Sequence, residues 1–460
     1  MSNEVIQKNI FKAYDIRGIV DTELTDDTVY KIGQAVGSDA INKKQKVISV
    51  GYDGRLSSPR LCVNLTQGLL STGINVINIG LVTTPILYFS THSLKTKTGI
   101  MITGSHNPAN YNGFKIVIND ETLSSNTIED LYKKIIDNNF VIGKGFASEK
   151  DVIPQYKEEI KNSISLKRPM KIAIDCGNGA AGICAQELYE SLNMEVETLF
   201  SEVDGNFPNH HPDPSKPENL RDLQKALANG KSEIGLAFDG DADRLGVVTK
   251  SGEIIYPDRQ LLLFAKYVLK DRPNSPIIFD VKCTRHLFSW ITSHGGKPII
   301  WKTGHSLIKS KMKEINSPLA GEMSGHTFFN DRWYGFDDGI YAGARLVEIL
   351  SNFENPSEIL EALPKSICTP EININVMEGQ QHEIIKKIQK EESFKDSIEV
   401  LKIDGVRVEY SYGFGLMRAS NTTPVIVLRF EADSEEMLKK ISDEFKIILK
   451  KYIKDKSINF

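Results

Sequence analysis

Three apolar runs in this chain stop on an aspartate: Val47-Ile-Ser-Val-Gly-Tyr-Asp53, Lys171-Ile-Ala-Ile-Asp175 and Pro276-Ile-Ile-Phe-Asp280. Each passes through a short loop into a helix-like segment, as 47–53 does into 61–71 ahead of the next strand-like run, 75–79. Strand-like and helical runs alternate in this way for about the first three quarters of the chain, which predicts an α/β fold with largely parallel sheets. The recurrence reads as one unit used three times.

At 460 residues the chain exceeds what one core organises, and length predicts roughly three or four domains. Polar stretches at 138–154, at 249–258 and around 364–370 mark boundaries, giving domains 1–150, 151–252, 253–367 and 368–460. Beyond the last boundary the pattern changes. Residues 406–412, a Gly-rich loop, Pro424-Val-Ile-Val-Leu-Arg-Phe430 and a helix from about Asp433 read as a smaller antiparallel α+β module with two visible strands. The stretch 204–217, with proline at 208, 212, 214 and 217, is expected to be a long surface loop walling a cleft.

Several function classes drop out. No run approaches the ~20 apolar residues that span a bilayer, and the start, Met1-Ser-Asn-Glu-Val-Ile-Gln-Lys8, lacks a signal-peptide pattern, so a cytoplasmic protein is expected. The five cysteines, 62, 176, 184, 283 and 368, have no C-x-x-C spacing and suggest neither a disulfide framework nor a zinc cluster. A net charge of −4 gives no global attraction for nucleic acid or an anionic membrane. The lysines of 446–456 alternate with apolar residues at helical spacing and read as the wet face of a last helix.

The chemistry sits in loops. Gly99-Ile-Met-Ile102 is a short buried strand emptying into Thr103-Gly-Ser-His-Asn-Pro108, which presents the Ser105 hydroxyl beside His106, with Lys115 ten residues on. Exposure, a proton acceptor and a positive neighbour suit a nucleophile or a phosphate-carrying side chain; an ST-turn ahead of Pro108 is the plainer alternative. Ile234-Gly-Leu-Ala-Phe238 leads into Asp239-Gly-Asp-Ala-Asp-Arg244. Three carboxylates so close repel one another unless a hard cation sits among them, and Mg²⁺ is expected. An EF-hand is excluded, because its sixth and twelfth positions would be Arg244 and Lys250 rather than Gly and Glu. Mg²⁺ takes six ligands, so three aspartates leave room for water or a phosphate oxygen, and Arg244 adds a fixed positive partner.

In the third unit Lys302-Thr-Gly-His305 and Gly321-Glu-Met-Ser-Gly-His326 each follow a strand. Glu322 and Ser324 together accept and donate hydrogen bonds, which suits adjacent sugar hydroxyls, while a turn role for Ser324 and a satisfied core position for His326 are the alternatives. Arg418-Ala-Ser-Asn-Thr-Thr-Pro424 gathers a guanidinium, three hydroxyls and an amide in one turn, with no acidic residue among them, and is read as a phosphate clamp. Gly177-Asn-Gly-Ala-Ala-Gly182 matches G-x-G-x-x-G, with Glu195 or Glu197 near the offset of a ribose-binding acid. Asp175 and Cys176 intervene between strand and first glycine, and nothing else resembles hydride chemistry, so these glycines are read as allowing a tight turn and close helix packing.

Taken in order, the Ser105 loop, the Asp239 loop, the Glu322 loop and Arg418-Ala-Ser-Asn-Thr422, with Phe11-Lys-Ala-Tyr-Asp-Ile-Arg-Gly18 and Asp280-Val-Lys-Cys-Thr-Arg285, make the whole chain resemble the α-D-phosphohexomutase family, closely its bacterial phosphomannomutase/phosphoglucomutase branch. The resemblance implies three topologically similar α/β domains plus a smaller C-terminal α+β domain around a central cleft. It implies that Ser105 is a phosphoserine, with Ser105, Asp239, Asp241 and Asp243 holding Mg²⁺. Glu322 and Ser324 would grip sugar hydroxyls, and Arg418, Ser420, Asn421 and Thr422 the phosphate that does not react. Arg17, His106, Lys115, Arg244, His305 and His326 match catalytic positions, and Tyr14, Lys282, Arg285 and Gly304 substrate-binding ones.

The activity so implied is interconversion of hexose 1-phosphate and hexose 6-phosphate through a bisphosphorylated sugar that turns end for end, with glucose or mannose 1,6-bisphosphate as activator. The partner is a small phosphosugar, and monomer or weak dimer stays open. Met323 favours hexose phosphates over the glucosamine branch; phosphoglucosamine mutase, a dinucleotide-dependent oxidoreductase and a non-catalytic sugar-phosphate binding protein are the alternatives.

Overall fold

A computed structural model of the chain describes residues 6–453. The start read at residues 1–5 and the lysines at 454 and 456 lie outside the described residues. Four sheets follow one another along the chain.

The first three are built alike. In each, the strand that ends on the recurring aspartate lies between two parallel neighbours. Val47–Tyr52 lies between Asn75–Leu81 and Gly99–Ile102, Met170–Asp175 between Met194–Leu199 and Ile234–Phe238, and Pro276–Asp280 between Lys297–Trp301 and Leu319–Gly321. An antiparallel strand then returns beside the third: Tyr111–Ile118, Leu245–Thr249 and Thr327–Phe329 respectively. The aspartates close the strands by one device. Asp53, Asp175 and Asp280 each accept a hydrogen bond from the backbone N–H two residues on, of Arg55 at 3.1 Å, Gly177 at 2.9 Å and Lys282 at 3.2 Å. In each unit the hairpin loop between the third strand and its antiparallel return is one of the three loops the sequence singles out, opening at the carboxyl end of the parallel strands.

The fourth sheet is antiparallel and has six strands rather than the two legible in the sequence. The stretch read as a Gly-rich loop is a strand, Gly413–Ala419, paired with Val406–Tyr410 and Val425–Ala432 and buried along its whole length. Its glycines admit close neighbours: a Cβ on Gly413 would lie 2.2 Å from the Glu431 carbonyl oxygen, and one on Gly415 2.5 Å from the Phe445 ring. Phe445 belongs to the last helix, Glu435–Tyr452, which Ser434 caps through the Met437 N–H. The polar boundary stretches also carry strands: Ala147–Glu149 on the edge of the first sheet, Ile254–Ile255 on the second, and Ile367–Cys368 paired with Val425–Ala432.

One apolar core runs through the second and third units and reaches Ile86 and Phe89 of the first, whose ring stacks on Trp333 at 6.0 Å. The first and fourth units have further cores of their own. A small cluster joins Val281, beside Lys282, to Phe414 and Leu416 of the fourth sheet. Among the described residues no helix is long and apolar enough to cross a membrane.

Candidate active site

The loops of the first two units meet. Ser105 sits in the left-handed backbone region, φ 49°, and a Cβ on Gly240 would come within 2.4 Å of its carbonyl oxygen, so glycine is required there. Its hydroxyl donates to Asp239 Oδ2 at 3.3 Å and lies 3.0 Å from His106 Nδ1. The sequence presents this serine as exposed; with the second unit against it, it is only 2% exposed. The chain at 204–217 walls it, as expected: His211 donates to the His106 carbonyl, and His210 Nε2 donates to Asp175 at 2.9 Å.

Arg55 organises the serine loop and was missed in the sequence. Its guanidinium donates to the carbonyls of Ser105 at 2.7 Å, Asn107 at 2.7 Å, Pro108 at 2.6 Å and Tyr111 at 3.0 Å, while Nε donates to Asp53. A Cβ on Gly104 would lie 2.3 Å from its Cζ. The available signal was its place two residues after a recurring aspartate, the offset at which Lys282 follows Asp280. A lysine cannot reproduce this fork. Arg55→Lys is expected to lower kcat by about tenfold or more with KM for phosphosugar within about twofold, because the loop that loosens carries the serine and not the phosphate grip. Steady-state kinetics check this, and a rise in KM with kcat unchanged would contradict it.

Asp239, Asp241 and Asp243 are fully buried, and their carboxylate oxygens converge within 4.8 Å of one another. Lys115, on the return strand of the serine hairpin, reaches in with Nζ 2.7 Å from Asp241 Oδ2 and also pairs with Asp243. Arg244 Nε stands 3.7 Å from Asp239 and 4.0 Å from Asp243. Burial, then the charges of Asp243 and Asp241, push the Asp239 carboxyl well above its usual range. For Asp243 burial acts the same way, but Lys115 and His326 outweigh it and hold it well below. Asp241 Oδ1 is buried and accepts no hydrogen bond. An oxygen-only set with a spare buried carboxylate oxygen fits a hard divalent cation.

Asp243, His326 and Asp337 also stand close enough to hold a metal, but His326 offers no free ring nitrogen. Nδ1 donates to Glu322 Oε2 at 2.9 Å, and Nε2 lies 3.3 Å from Asp243 Oδ1 and also 3.3 Å from Arg244 Nε; burial and the Arg244 charge oppose protonation, yet Asp243 and Glu322 raise the imidazole to about 9. Burial holds His106 well below its ordinary range, with Arg244 and Arg17 adding to it, and burial does the same to His305, with Lys309 and Lys115 adding.

The third loop packs next to the first unit's opening segment. Glu322 Oε1 accepts the Gly304 N–H at 2.6 Å, and Ser324 Oγ lies 3.1 Å from His326 Nδ1. Gly304, φ 133°, makes room for the Tyr14 ring, which a Cβ there would meet at 2.7 Å. Tyr14 donates to the Thr303 carbonyl at 2.9 Å and accepts from Asn421, and burial pushes its phenol up to about 12. Arg17, on the strand Ile16–Ile19 bonded to Tyr111–Ile118, pairs with Asp15 just before it.

Two expectations need correcting at the fourth unit. The Arg418 turn is not free of acid: Arg418 Nε donates to Asp404 Oδ2 at 3.0 Å, an aspartate from a preceding turn that the local sequence does not show. Likewise Lys282 Nζ pairs with Glu371 at 2.7 Å. Ser420 Oγ bonds within its own turn, 2.9 Å from Thr423 Oγ1, beside Asn421 and an exposed Thr422. Arg285 does not join this group. Its guanidinium donates to the Ser411 carbonyl at 3.2 Å and to Asp433, joining the third unit to the fourth. The Gly177–Gly182 run makes the tight turn expected of it, with Gly177 at φ 52° and the Ala180 N–H donating to the Gly240 carbonyl at 2.9 Å.

Comparison with known proteins matches four consecutive family profiles: phosphoglucomutase/phosphomannomutase alpha/beta/alpha domain I at residues 8–141, domain II at 154–252, domain III at 256–367 and the C-terminal domain at 371–448. A phosphoglucomutase of Neisseria gonorrhoeae is 55% identical over 447 residues, covering 96% of this chain and 97% of its own. A phosphomannomutase/phosphoglucomutase of Pseudomonas aeruginosa is 53% identical over 443 residues, 96% of each chain. The crystal structure of a phosphoglucomutase/phosphomannomutase family protein from Burkholderia thailandensis superimposes with a TM-score of 0.93 at 50% identity, covering 97% of this chain and 98% of that one.

Proposed function

This chain belongs to the phosphoglucomutase/phosphomannomutase family and is a phosphohexomutase, and we propose that Ser105 carries the phosphoryl group it exchanges between the 1- and 6-positions of glucose and mannose phosphates. The observation that carries this reading is the Ser105 hydroxyl bonded to Asp239 at the edge of a buried acid triad, ringed by Lys115, Arg244 and His326.

Phosphorylated Ser105 gives its phosphoryl group to the free hydroxyl of a bound monophosphate: the P–O bond to Oγ breaks, the bond to the sugar oxygen forms, a base takes the proton of the sugar hydroxyl, and Oγ takes one up to become the serine hydroxyl again. The bisphosphorylated sugar then turns and returns its other phosphoryl group to Ser105. His106 and His305, whose imidazoles burial holds well below their ordinary range, can accept a proton, while His326 ties Glu322 to the acid triad. Asp239, Asp241 and Asp243, with Ser105, would hold Mg²⁺, which supplies Lewis-acid neutralisation of charge on the transferring phosphoryl group. Lys115 and Arg244 add fixed positive charge at the same place. Arg418, Ser420, Asn421 and Thr422, with Lys282, grip the phosphate that is not reacting, and one such grip serves both orientations. Glu322 and Ser324 read the sugar hydroxyls between the two ends. Glucose or mannose 1,6-bisphosphate, which rephosphorylates a serine left bare when the intermediate escapes, is the activator. A cytoplasmic place and the domain limits 1–150, 151–252, 253–367 and 368–460 belong to the same reading.

A coupled assay with Mg²⁺ and a trace of glucose 1,6-bisphosphate tests it on glucose 1-phosphate, mannose 1-phosphate and glucosamine 1-phosphate. Comparable kcat/KM on the first two and far less on the third is expected. Turnover confined to the amino sugar would overturn the substrate assignment.

A further inference from the structure

The loop that carries Lys282 is completed from another domain. Val281, Lys282 and Cys283 turn three successive carbonyls toward the fourth sheet. Arg407 Nη1 donates to Val281 O at 2.8 Å and to Cys283 O at 2.6 Å, and Arg429 Nη1 donates to Lys282 O. Both arginines are buried, Arg407 completely. They stand in one row across three strands, because Arg407 is in register with Leu416, and Leu416 with Arg429. The Arg407 guanidinium lies 3.7 Å from the centre of the Phe414 ring, and Phe414 and Leu416 pack on Val281. Side chains alternate along a strand, so Phe414, Leu416 and Arg418 share one face. The face that holds the Lys282 loop therefore ends in Arg418.

We propose that Arg407, assisted by Arg429, is a positioning residue that fixes the Lys282 loop to the same sheet face as Arg418, so that the two cations act as one phosphate grip although they come from different domains. This rests on the reading that Lys282 and Arg418 hold the substrate's phosphate. The network behind the arginines is built to keep them in place: Arg429 Nη2 bonds Asp258 at 3.1 Å, Asp258 also accepts the Thr284 N–H at 2.9 Å, and the Thr284 hydroxyl donates to Glu431 at 2.8 Å. Arg407 Nε donates to Glu409 at 2.7 Å. No bond of Arg407 or Arg429 reaches the Lys282 ammonium, whose partner is Glu371. Their hydrogen bonds to this loop are all to its backbone.

A double-mutant cycle on the full-length enzyme tests this. Lys282→Ala and Arg407→Met are each expected to raise KM for hexose 1-phosphate about tenfold with kcat within about threefold, and the double variant to match Lys282→Ala within about twofold. Hydrogen exchange at residues 281–285 should speed up in Arg407→Met while residues 103–107 stay protected. If Arg407→Met does not fold, Arg407→Lys, whose ammonium keeps the charge but loses the planar guanidinium stacked on Phe414 and tied through Nε to Glu409, is put through the same cycle. Multiplying effects, or exchange rising equally in both segments, overturn the positioning role. An unchanged KM in Lys282→Ala overturns it together with the phosphate role of Lys282, whereas a raised KM there with multiplying effects overturns the positioning alone.

Discussion

Ser105→Ala is expected to lower kcat by about four orders of magnitude or more while the protein keeps its fold and its affinity for phosphosugars. The side chain removed is one hydroxyl, whose contacts are Asp239 at 3.3 Å and His106 at 3.0 Å. Arg55 holds the loop through four backbone carbonyls that the substitution leaves in place. Alanine tolerates φ 49° about as well as serine, so the cost in stability should stay within about 1 kcal/mol. The proposed phosphate grip lies in the third and fourth units, and the substitution leaves those residues in place. The coupled assay gives the turnover, a thermal melt the stability and titration with glucose 6-phosphate the affinity. More than a small residual rate with the bisphosphate present would mean that another residue carries the phosphoryl group.

Removing divalent cations is the second large effect. The three buried aspartates have Lys115 and Arg244 as cationic partners, and even so Asp239 stays well above its usual range and Asp241 Oδ1 and Asp243 Oδ1 stay without a donor. The cluster is short of positive charge at the point where a phosphoryl group adds more negative charge. EDTA is expected to stop turnover and Mg²⁺ to restore it. Mg²⁺ should also raise the melting temperature of the chelated protein, since a ligand at a hundred times its Kd stabilises the native state by about 2.7 kcal/mol. Full activity after chelation, with no shift of the melt on adding Mg²⁺, would contradict the metal assignment.

Much of this was legible because the same unit recurs. A buried strand announces itself by an apolar run, and an aspartate that caps it by accepting the N–H two residues on leaves the same trace each time, at 53, 175 and 280. The chemical loops showed for a related reason, since Ser105, the acid triad and Glu322 are costly residues to place at strand ends without a function. That these loops are equivalent hairpins of one repeated unit did not show, because pairing is a relation between distant segments.

The misses have the same origin. The strand Gly413–Ala419 read as a loop because its glycines are poor strand formers, and what calls for them lies far along the chain: the Glu431 carbonyl for Gly413 and Phe445, about thirty residues away, for Gly415. Arg55 carries no local sign of its task, since the carbonyls it binds begin some fifty residues later. Asp404 meets Arg418 only once Val406–Tyr410 has paired with Gly413–Ala419, and Glu371 meets Lys282 only after the fourth unit has folded against the third. Arg285 matches a family motif by position, while its side chain turns to the Ser411 carbonyl and Asp433. The exposure expected of Ser105 was lost for a geometric reason: a strand-end loop is open in its own domain and closed by the next one.

The most direct single measurement is intact mass followed by peptide mapping of protein treated with glucose 1,6-bisphosphate and Mg²⁺, before and after a chase with mannose 1-phosphate. One phosphoryl group on Ser105 that the chase removes, with bisphosphorylated sugar appearing in step, is the expected result. A phosphoryl group on another residue, or turnover by a protein that is never phosphorylated, would contradict the phosphoserine mechanism.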